Sequence, residues 1–467
     1  MSIFRVKFLS FFFLLISILS FFNIIYSYYL NLYLNLDTYY LTLFISLTIS
    51  ILFYIIKIPK KNQTIFNKIL TVFFGYIIIP LILSIPFYFS IYNLTFLNSF
   101  FESTSGFTST GFSIFENIKH IDQSLILWRS STQWIGGLYF LFSIIFLIDI
   151  YDENLKKTLT NFISFDSSEI FKQAMKIFLL YSGLTLIIFL ILNFFSIRSF
   201  NSLNLALTLI SSGGFLPVND LSSIIKENSQ IIILSLLMLT SFFSIFFSYN
   251  LIFLRKKNVN FFYEDLHLIV YLVVIVGIFF LFFSSKNDFL INLLSITSSI
   301  SNIGFALKSD QNFTLIFLIL VIIGGSFFST SSGLRFVKIY SLFKYSLNQI
   351  LSFSKPKNIF MNKLIFTKIN FDFNEINKYF LTIVIFILSL FILMALLSLS
   401  GISFENSFKL SILTLMNTVN SSIYGLGEFN FNNLHFFSKY TLIFFMIIGR
   451  IELLTILLLM KKFLLKN

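Results

Sequence analysis

The 467-residue sequence is 57% hydrophobic and 11% charged, and its mean hydropathy of +0.89 excludes a soluble domain in favour of a polytopic membrane protein. Formal net charge is +13, but the Lys and Arg collect in loops between apolar runs, so a lipid bilayer accounts for them better than nucleic acid does. Cys is absent and His120, His267 and His435 are scattered, which removes disulfides, thiol nucleophiles and thiolate metal sites. No covalent cofactor is expected.

The apolar run from Phe8 to Leu30 follows Arg5 and Lys7. It exceeds the roughly 7 to 15 residues of a cleavable signal, so it reads as a retained anchor. A span needs about 20 mostly apolar residues. That ruler predicts ten spans, near 8–33, 38–58, 67–92, 124–150, 171–196, 229–254, 263–284, 312–345, 377–400 and 437–464. The first two make an N-terminal hairpin over 1–62. Span, loop and span then recur four times, over 63–158, 159–258, 259–360 and 361–467. The expected fold is therefore all-α, with four span-loop-span repeats around one axis.

Arg5, Lys7, Lys57, Lys60, Lys61, Lys156, Lys157, Arg255, Lys256, Lys257, Lys355, Lys357, Lys363, Lys368, Lys461 and Lys462 fall on one side of this threading. The positive-inside rule makes that side, with both termini, cytoplasmic. Glu102, Glu116, Asp122, Asp220, Asp310, Glu405 and Glu428 mostly fall toward the other face, where acids either raise local cation concentration or are ordinary solvated charges.

Each repeat loop carries small polar residues, a spacer and an aromatic. The copies are Thr108-Ser109-Thr110-Gly111-Phe112, Ser211-Ser212-Gly213-Gly214-Phe215, Ser301-Asn302-Ile303-Gly304-Phe305 and Asn420-Ser421-Ser422-Ile423-Tyr424. Such sequence at membrane depth is tolerated only where it is buried in protein or lines a watery cavity. A ring of backbone carbonyls replaces the hydration shell of a potassium-sized ion, and glycine at positive φ turns successive carbonyls toward an axis. Short helical stretches precede the copies: Leu97 to Ser105, Leu203 to Ile210, Leu290 to Thr297 and Ser407 to Leu415. Their C-terminal dipole ends, aimed inward, favour a cation. The fourth copy departs from the pattern, because ungapped alignment puts β-branched Ile423 where the others have Gly111, Gly214 and Gly304. Either that loop has another backbone conformation, or Gly425 takes the role.

Gly324, Gly325, Ser329, Thr330 and Gly333 interrupt an otherwise apolar span. A run of Gly, Ser and Thr continues a helix only at a cost, so the helix is expected to break there into a mobile gate; the alternative is a small-residue packing face. Arg450 sits in the last apolar run, where an unpaired cation costs at least about 2.5 to 3.5 kcal/mol. It is expected to enter the cavity under the filter, bond the carbonyls of the gate loop and repel cations. Glu452 is a poor partner, since residues two apart do not share a helix face. Arg129, nearer the other end of its span, anchors the first filter or snorkels outward.

The stretch Phe101-Glu102-Ser103-Thr104-Ser105-Gly106-Phe107-Thr108-Ser109-Thr110-Gly111, with Leu127-Trp128-Arg129-Ser130 and Gln133-Trp134-Ile135-Gly136-Gly137, resembles the first repeat of the TrkH/KtrB potassium-transport family. Gly324-Gly325-Ser326 with Ser329-Thr330-Ser331-Ser332-Gly333 resembles that family's intramembrane gate loop, and Gly449-Arg450-Ile451-Glu452 its last pore-lining helix. The resemblance covers nearly the whole chain, and the added hairpin favours the TrkH branch. It implies a potassium-uptake pore in the bacterial inner membrane, with the potassium ion as substrate, usually a homodimer beside a cytosolic nucleotide-binding regulator. Ile423 leaves open a sodium-permeable or sodium-coupled member of the superfamily. An organic-solute carrier would favour inverted halves, which four same-sense repeats oppose. An intramembrane enzyme would need paired acids, a His-rich motif or a Ser/Lys dyad inside the spans, and none is apparent.

Overall fold

The computed structural model describes residues 3–55, 65–147, 170–252, 263–283, 288–307, 313–353 and 373–451. The repeat boundaries expected at 62, 158, 258 and 360, most of the loop Lys and Arg used for orientation, Asp310 and Glu452 lie outside these residues, as do the side chains of Arg5 and Lys7.

Helices α1 (Ile3–Tyr29) and α2 (Leu36–Ile55) form the hairpin. Apolar side chains gain nothing by leaving lipid for each other, so polar bonds contribute to joining such helices. Here Ser10 Oγ donates to the Ser50 carbonyl at 2.8 Å and Ser50 Oγ returns a bond to the Ser10 carbonyl at 2.9 Å. The hairpin docks on the first repeat, with Phe8 stacked on Phe146 at 5.2 Å and Tyr39 Oη donating to Ser124 Oγ at 3.1 Å.

The first repeat comprises α3 (Ile65–Leu83), the short α4 (Ile85–Tyr88), α5 (Phe96–Phe107) and α6 (Gln123–Phe146). The second has α7 (Ile170–Phe194), α8 (Ser199–Ile210), α9 (Asn228–Phe242) and α10 (Ile245–Ile252). The third has α11 (Tyr263–Phe283), α12 (Asp288–Ile300), α13 (Thr314–Ile322) and α14 (Phe336–Ser352). The fourth has α15 (Phe373–Leu399), α16 (Phe404–Leu415) and α17 (Phe436–Arg450). Helices α5, α8, α12 and α16 hold 12 or 13 residues each, and at about 1.5 Å per residue they fall short of a ~30 Å hydrocarbon core. They are too short to cross it.

Among the described residues six helices are long and apolar enough to cross a membrane, and they include α1, α2 and the first helix of every repeat. The chain is a multi-pass membrane protein. In α7, α11 and α15 only 22–33% of the span is buried, against 56% for the first repeat's span (Phe66–Tyr88), which the hairpin covers. The other four expected spans are the inner helices. Helix α6 is buried almost throughout and carries Arg129 and Gln133, so its sequence meets protein rather than lipid.

Among the described residues two inner helices are broken. The break between α13 and α14 is the expected one. The break between α9 and α10 corrects the expectation of one continuous span over 229–254. It arises from tertiary contacts: Ser244 N and Oγ donate to Asp265 Oδ1 and Oδ2 at 2.8 and 2.7 Å, which satisfies the chain where it leaves the helix.

Close passage of α6 over the end of α5 depends on Gly136, where an added methyl would sit 1.9 Å from the Phe107 carbonyl oxygen. Gly136→Ala is expected to destabilise the protein by about 1 to 3 kcal/mol or more, as overpacking does. Thermal unfolding of the purified protein checks it, with Gly183→Ala, whose methyl meets nothing within 4 Å, as the unperturbed control.

Candidate ion pore

The short helices α5, α8, α12 and α16 end in one and the same turn. Ser109, Ser212, Asn302 and Asn417 have φ of 59°, 56°, 58° and 47°, and each lies two residues past the last helical residue. The amides of Thr110, Gly213, Ile303 and Thr418 then reach back to the carbonyls of Ser105, Thr208, Ser298 and Leu413 at 2.9, 2.8, 3.0 and 2.9 Å. This is a left-handed helix cap with a six-to-one bond. Left-handed φ at a non-glycine residue costs on the order of 1 to 3 kcal/mol and persists only where the surroundings impose it.

These caps set the register of the strands that follow. Gly111, Gly214 and Gly304 are equivalent, and the fourth member is Val419. Asn420, Ser421, Ser422 and Ile423, expected as the fourth copy, therefore lie beyond the equivalent strand, which is Met416, Asn417, Thr418 and Val419. Ser422–Tyr424 form a 3-10 turn closed by Gly425 at φ 69°, buried Ile423 lies within it, and Tyr424 Oη bonds Ser299 Oγ of α12 at 3.2 Å. Gly425 does not take the missing glycine's place either; it ends that turn.

The four strands are lashed in a closed order. Ser212 Oγ donates to the Ser301 carbonyl, Asn302 Nδ2 to Thr418 Oγ1 at 3.2 Å, and Asn417 Nδ2 to Thr110 Oγ1 at 3.0 Å. Gly111 and Gly214 close the circle, since a methyl on Gly111 would lie 2.9 Å from Gly214 Cα. Strands one and three are therefore opposite, as are two and four. Gly111 and Gly304 take φ of 81° and 85°, a region that glycine enters without steric cost.

Arg129 and Glu102 anchor the first strand's exit. Both are buried, with Arg129 Nε donating to Glu102 Oε1 at 2.8 Å. Glu102 also accepts from Ile114 N at 2.8 Å and Ser113 Oγ at 3.1 Å, while the guanidinium lies 4.2 Å from the centre of the Phe215 ring of the second strand. Glu102 is thus no surface acid, and Arg129 does not snorkel. Glu116, Asp220, Glu405 and Glu428 are exposed as expected; Asp122, half-buried, accepts from Ser124 Oγ at 2.9 Å at the start of α6. Gln133 Oε1 of α6 accepts from Phe215 N at 3.3 Å.

Residues 325–333 form a buried loop between β1 (Ile323–Gly324) and β2 (Leu334–Arg335), which pair in parallel with Ile323 opposite Leu334. The loop and the α9–α10 break satisfy each other: Ser326 N donates to the Phe242 carbonyl, Ser331 N to that of Ser241, and Ile245 N to that of Phe328, at 3.0, 3.0 and 3.1 Å. Thr330 Oγ1 donates to the Ile210 carbonyl, the last of α8, at 2.7 Å, which ties the loop to the second cap. Glu264 accepts from Phe327 N at 2.9 Å.

Arg450 stands between loop and ring. Its Nη1 donates to Ser332 Oγ, and its Nη2 lies 3.4 Å from Ser109 Oγ and 3.5 Å from the Ser211 carbonyl. The expected bonds to gate-loop carbonyls are not its own. Arg335 makes them, with Nη1 donating to the Ser326 and Ser331 carbonyls at 2.8 and 3.1 Å. Phe140 lies beneath both guanidinium groups, at 4.3 Å for Arg450 and 5.1 Å for Arg335.

No family model matches the chain. Its fold superposes on that of the potassium transporter TrkH from Vibrio parahaemolyticus with a TM-score of 0.79, covering 98% of each chain at 18% identity. This is the TrkH fold. The sequence agrees, being 24% identical over 402 residues to the Trk system potassium uptake protein TrkH of Salmonella typhimurium, across 80% of this chain and 81% of that protein. An uncharacterized cation transporter of Methanocaldococcus jannaschii is 23% identical over 350 residues, 71% of this chain and 70% of its own. In sequence and fold the chain is a relative of the Trk potassium uptake proteins.

Within this TrkH fold, Thr108, Ser109, Thr110, Gly111, Ser211, Ser212, Gly213, Gly214, Ser301, Asn302, Ile303 and Gly304 are brought together in three of the four strands. Gly324, Gly325, Ser329, Thr330 and Gly333 lie in the strand pair and loop beside Arg450. The sequence reading missed Asn417 and Val419, Arg335, and Glu264. Asn417 had a usable signal, because the helical stretch ending at Leu415 leaves four residues before Asn420, more than the two, none and three left in the other copies.

Proposed function

We propose that this chain is the membrane-embedded pore subunit of a monovalent cation uptake system whose substrate is potassium. The observation that carries this reading is the ring of four identically capped strands at the C-terminal ends of four half-length helices. Dipole ends converge there on one axis, and backbone carbonyls replace water around a dehydrated cation. Met416, Asn417, Thr418 and Val419 supply the fourth strand of the filter in place of residues 420–423. The loop over 325–333, with Arg450 against it, forms the gate. The chain's similarity to Trk system potassium uptake proteins supports potassium as substrate. The same reading puts both termini in the cytoplasm of a bacterium and the chain in its inner membrane, as a homodimer beside a cytosolic nucleotide-binding regulator.

Expression in a cell that lacks its own potassium uptake is expected to restore growth at low potassium. Gly111→Ser, Gly214→Ser and Gly304→Ser are each expected to abolish it, since a Cβ at those positions would come within 2.9, 2.3 and 2.7 Å of another strand. Growth that survives all three replacements removes the filter assignment. A sodium-permeable pore of the same superfamily is favoured by one observation, the Val419 that replaces the fourth glycine. Potassium and sodium flux measured side by side separates the two.

A further inference from the structure

The ring carries three glycines and one valine, and the valine points inward. A methyl on Gly214 would lie 2.3 Å from Val419 Cβ, one on Gly111 3.0 Å from the same atom, and one on Gly304 2.7 Å from Val419 Cγ1. Strand two lies across the axis from strand four, so a side chain that meets Gly214 as well as both neighbours occupies the centre of the ring. An isopropyl group there offers no oxygen to an ion, and apolar constrictions oppose permeation by excluding water and ions together. Gly111, Gly214 and Gly304 supply the room that this side chain fills.

We propose that Val419 is the constriction of the pore and a specificity-determining residue, setting an upper size limit on the dehydrated monovalent cation that passes. The proposal rests on the pore reading above and adds which atom group limits flux and in what direction. Permeation then requires Val419 to swing off the axis, and the displacement grows with the ion. Flux through the native chain therefore falls steeply from potassium to rubidium to caesium.

The test is tracer uptake into proteoliposomes holding the full chain, with potassium, rubidium and caesium as probes. Val419→Gly, which completes the ring of glycines, is expected to raise potassium flux at least about tenfold and to relieve most of the penalty on rubidium and caesium. Val419→Ala falls between it and the native chain, and provides the measurement if the glycine variant does not fold. Val419→Ile lowers flux further. Native-like flux and ion order in both smaller variants overturn the proposal while leaving the pore reading intact. Absence of flux from the native chain and every variant alike overturns both.

Discussion

Arg450→Ala is expected to raise cation flux, by about tenfold or more in proteoliposomes. The guanidinium lies within hydrogen-bonding reach of Ser109 Oγ in the first strand and of the Ser211 carbonyl in the second, and is itself buried. A unit charge about 4 Å from a passing ion costs roughly 4 kcal/mol at an effective dielectric constant near 20, enough to dominate a permeation barrier. Its removal also frees Ser332, and with it one tie between the loop and the ring. Arg450→Lys separates the two effects. It keeps the charge but loses the fork that spans Ser332 and the filter, so its flux falls between the native chain and the alanine variant. Unchanged or lower flux in Arg450→Ala would mean that Arg450 holds the filter together instead of guarding it.

The largest effect on stability is expected at Glu102 and Arg129. With both side chains essentially inaccessible, 0% and 1% exposed, removing one partner leaves a charge buried and unpaired. Such a change costs about 3 to 5 kcal/mol, so Arg129→Met is expected to lower the unfolding midpoint sharply. Glu102→Leu with Arg129→Met should recover much of the loss, because burying both charges is itself expensive. Flux should not recover with it: Ile114 N and Ser113 Oγ lose the carboxylate that fixes the exit of the first strand. A double variant as unstable as the single one would contradict this account.

The repeat plan was legible because lipid leaves so few options. A spanning segment must satisfy its own backbone, so ten apolar runs with polar interruptions already describe helices and re-entrant loops. Three strands of the ring followed from glycine spacing. The fourth was misread because its Asn-Ser-Ser run imitates the small polar residues of the others, whereas register is counted from the end of the half-helix. Leu415 ends α16, and the left-handed position two residues later is Asn417, of a residue type that accepts that conformation.

Sequence by itself thus determined the membrane class, the four repeats, the broken third inner helix and the buried arginine of the last helix. Each is a local matter of hydropathy, propensity or a charge in an apolar run. Tertiary structure alone decided that Phe242 ends α9, since Asp265 and the loop over 325–333 satisfy the freed backbone there. It also decided that Glu102 is a buried partner and that Arg335, not Arg450, takes the loop's carbonyls. Most of all it decided that Val419 faces three glycines across the axis, because which side chains meet at a ring depends on four strands distant in the chain.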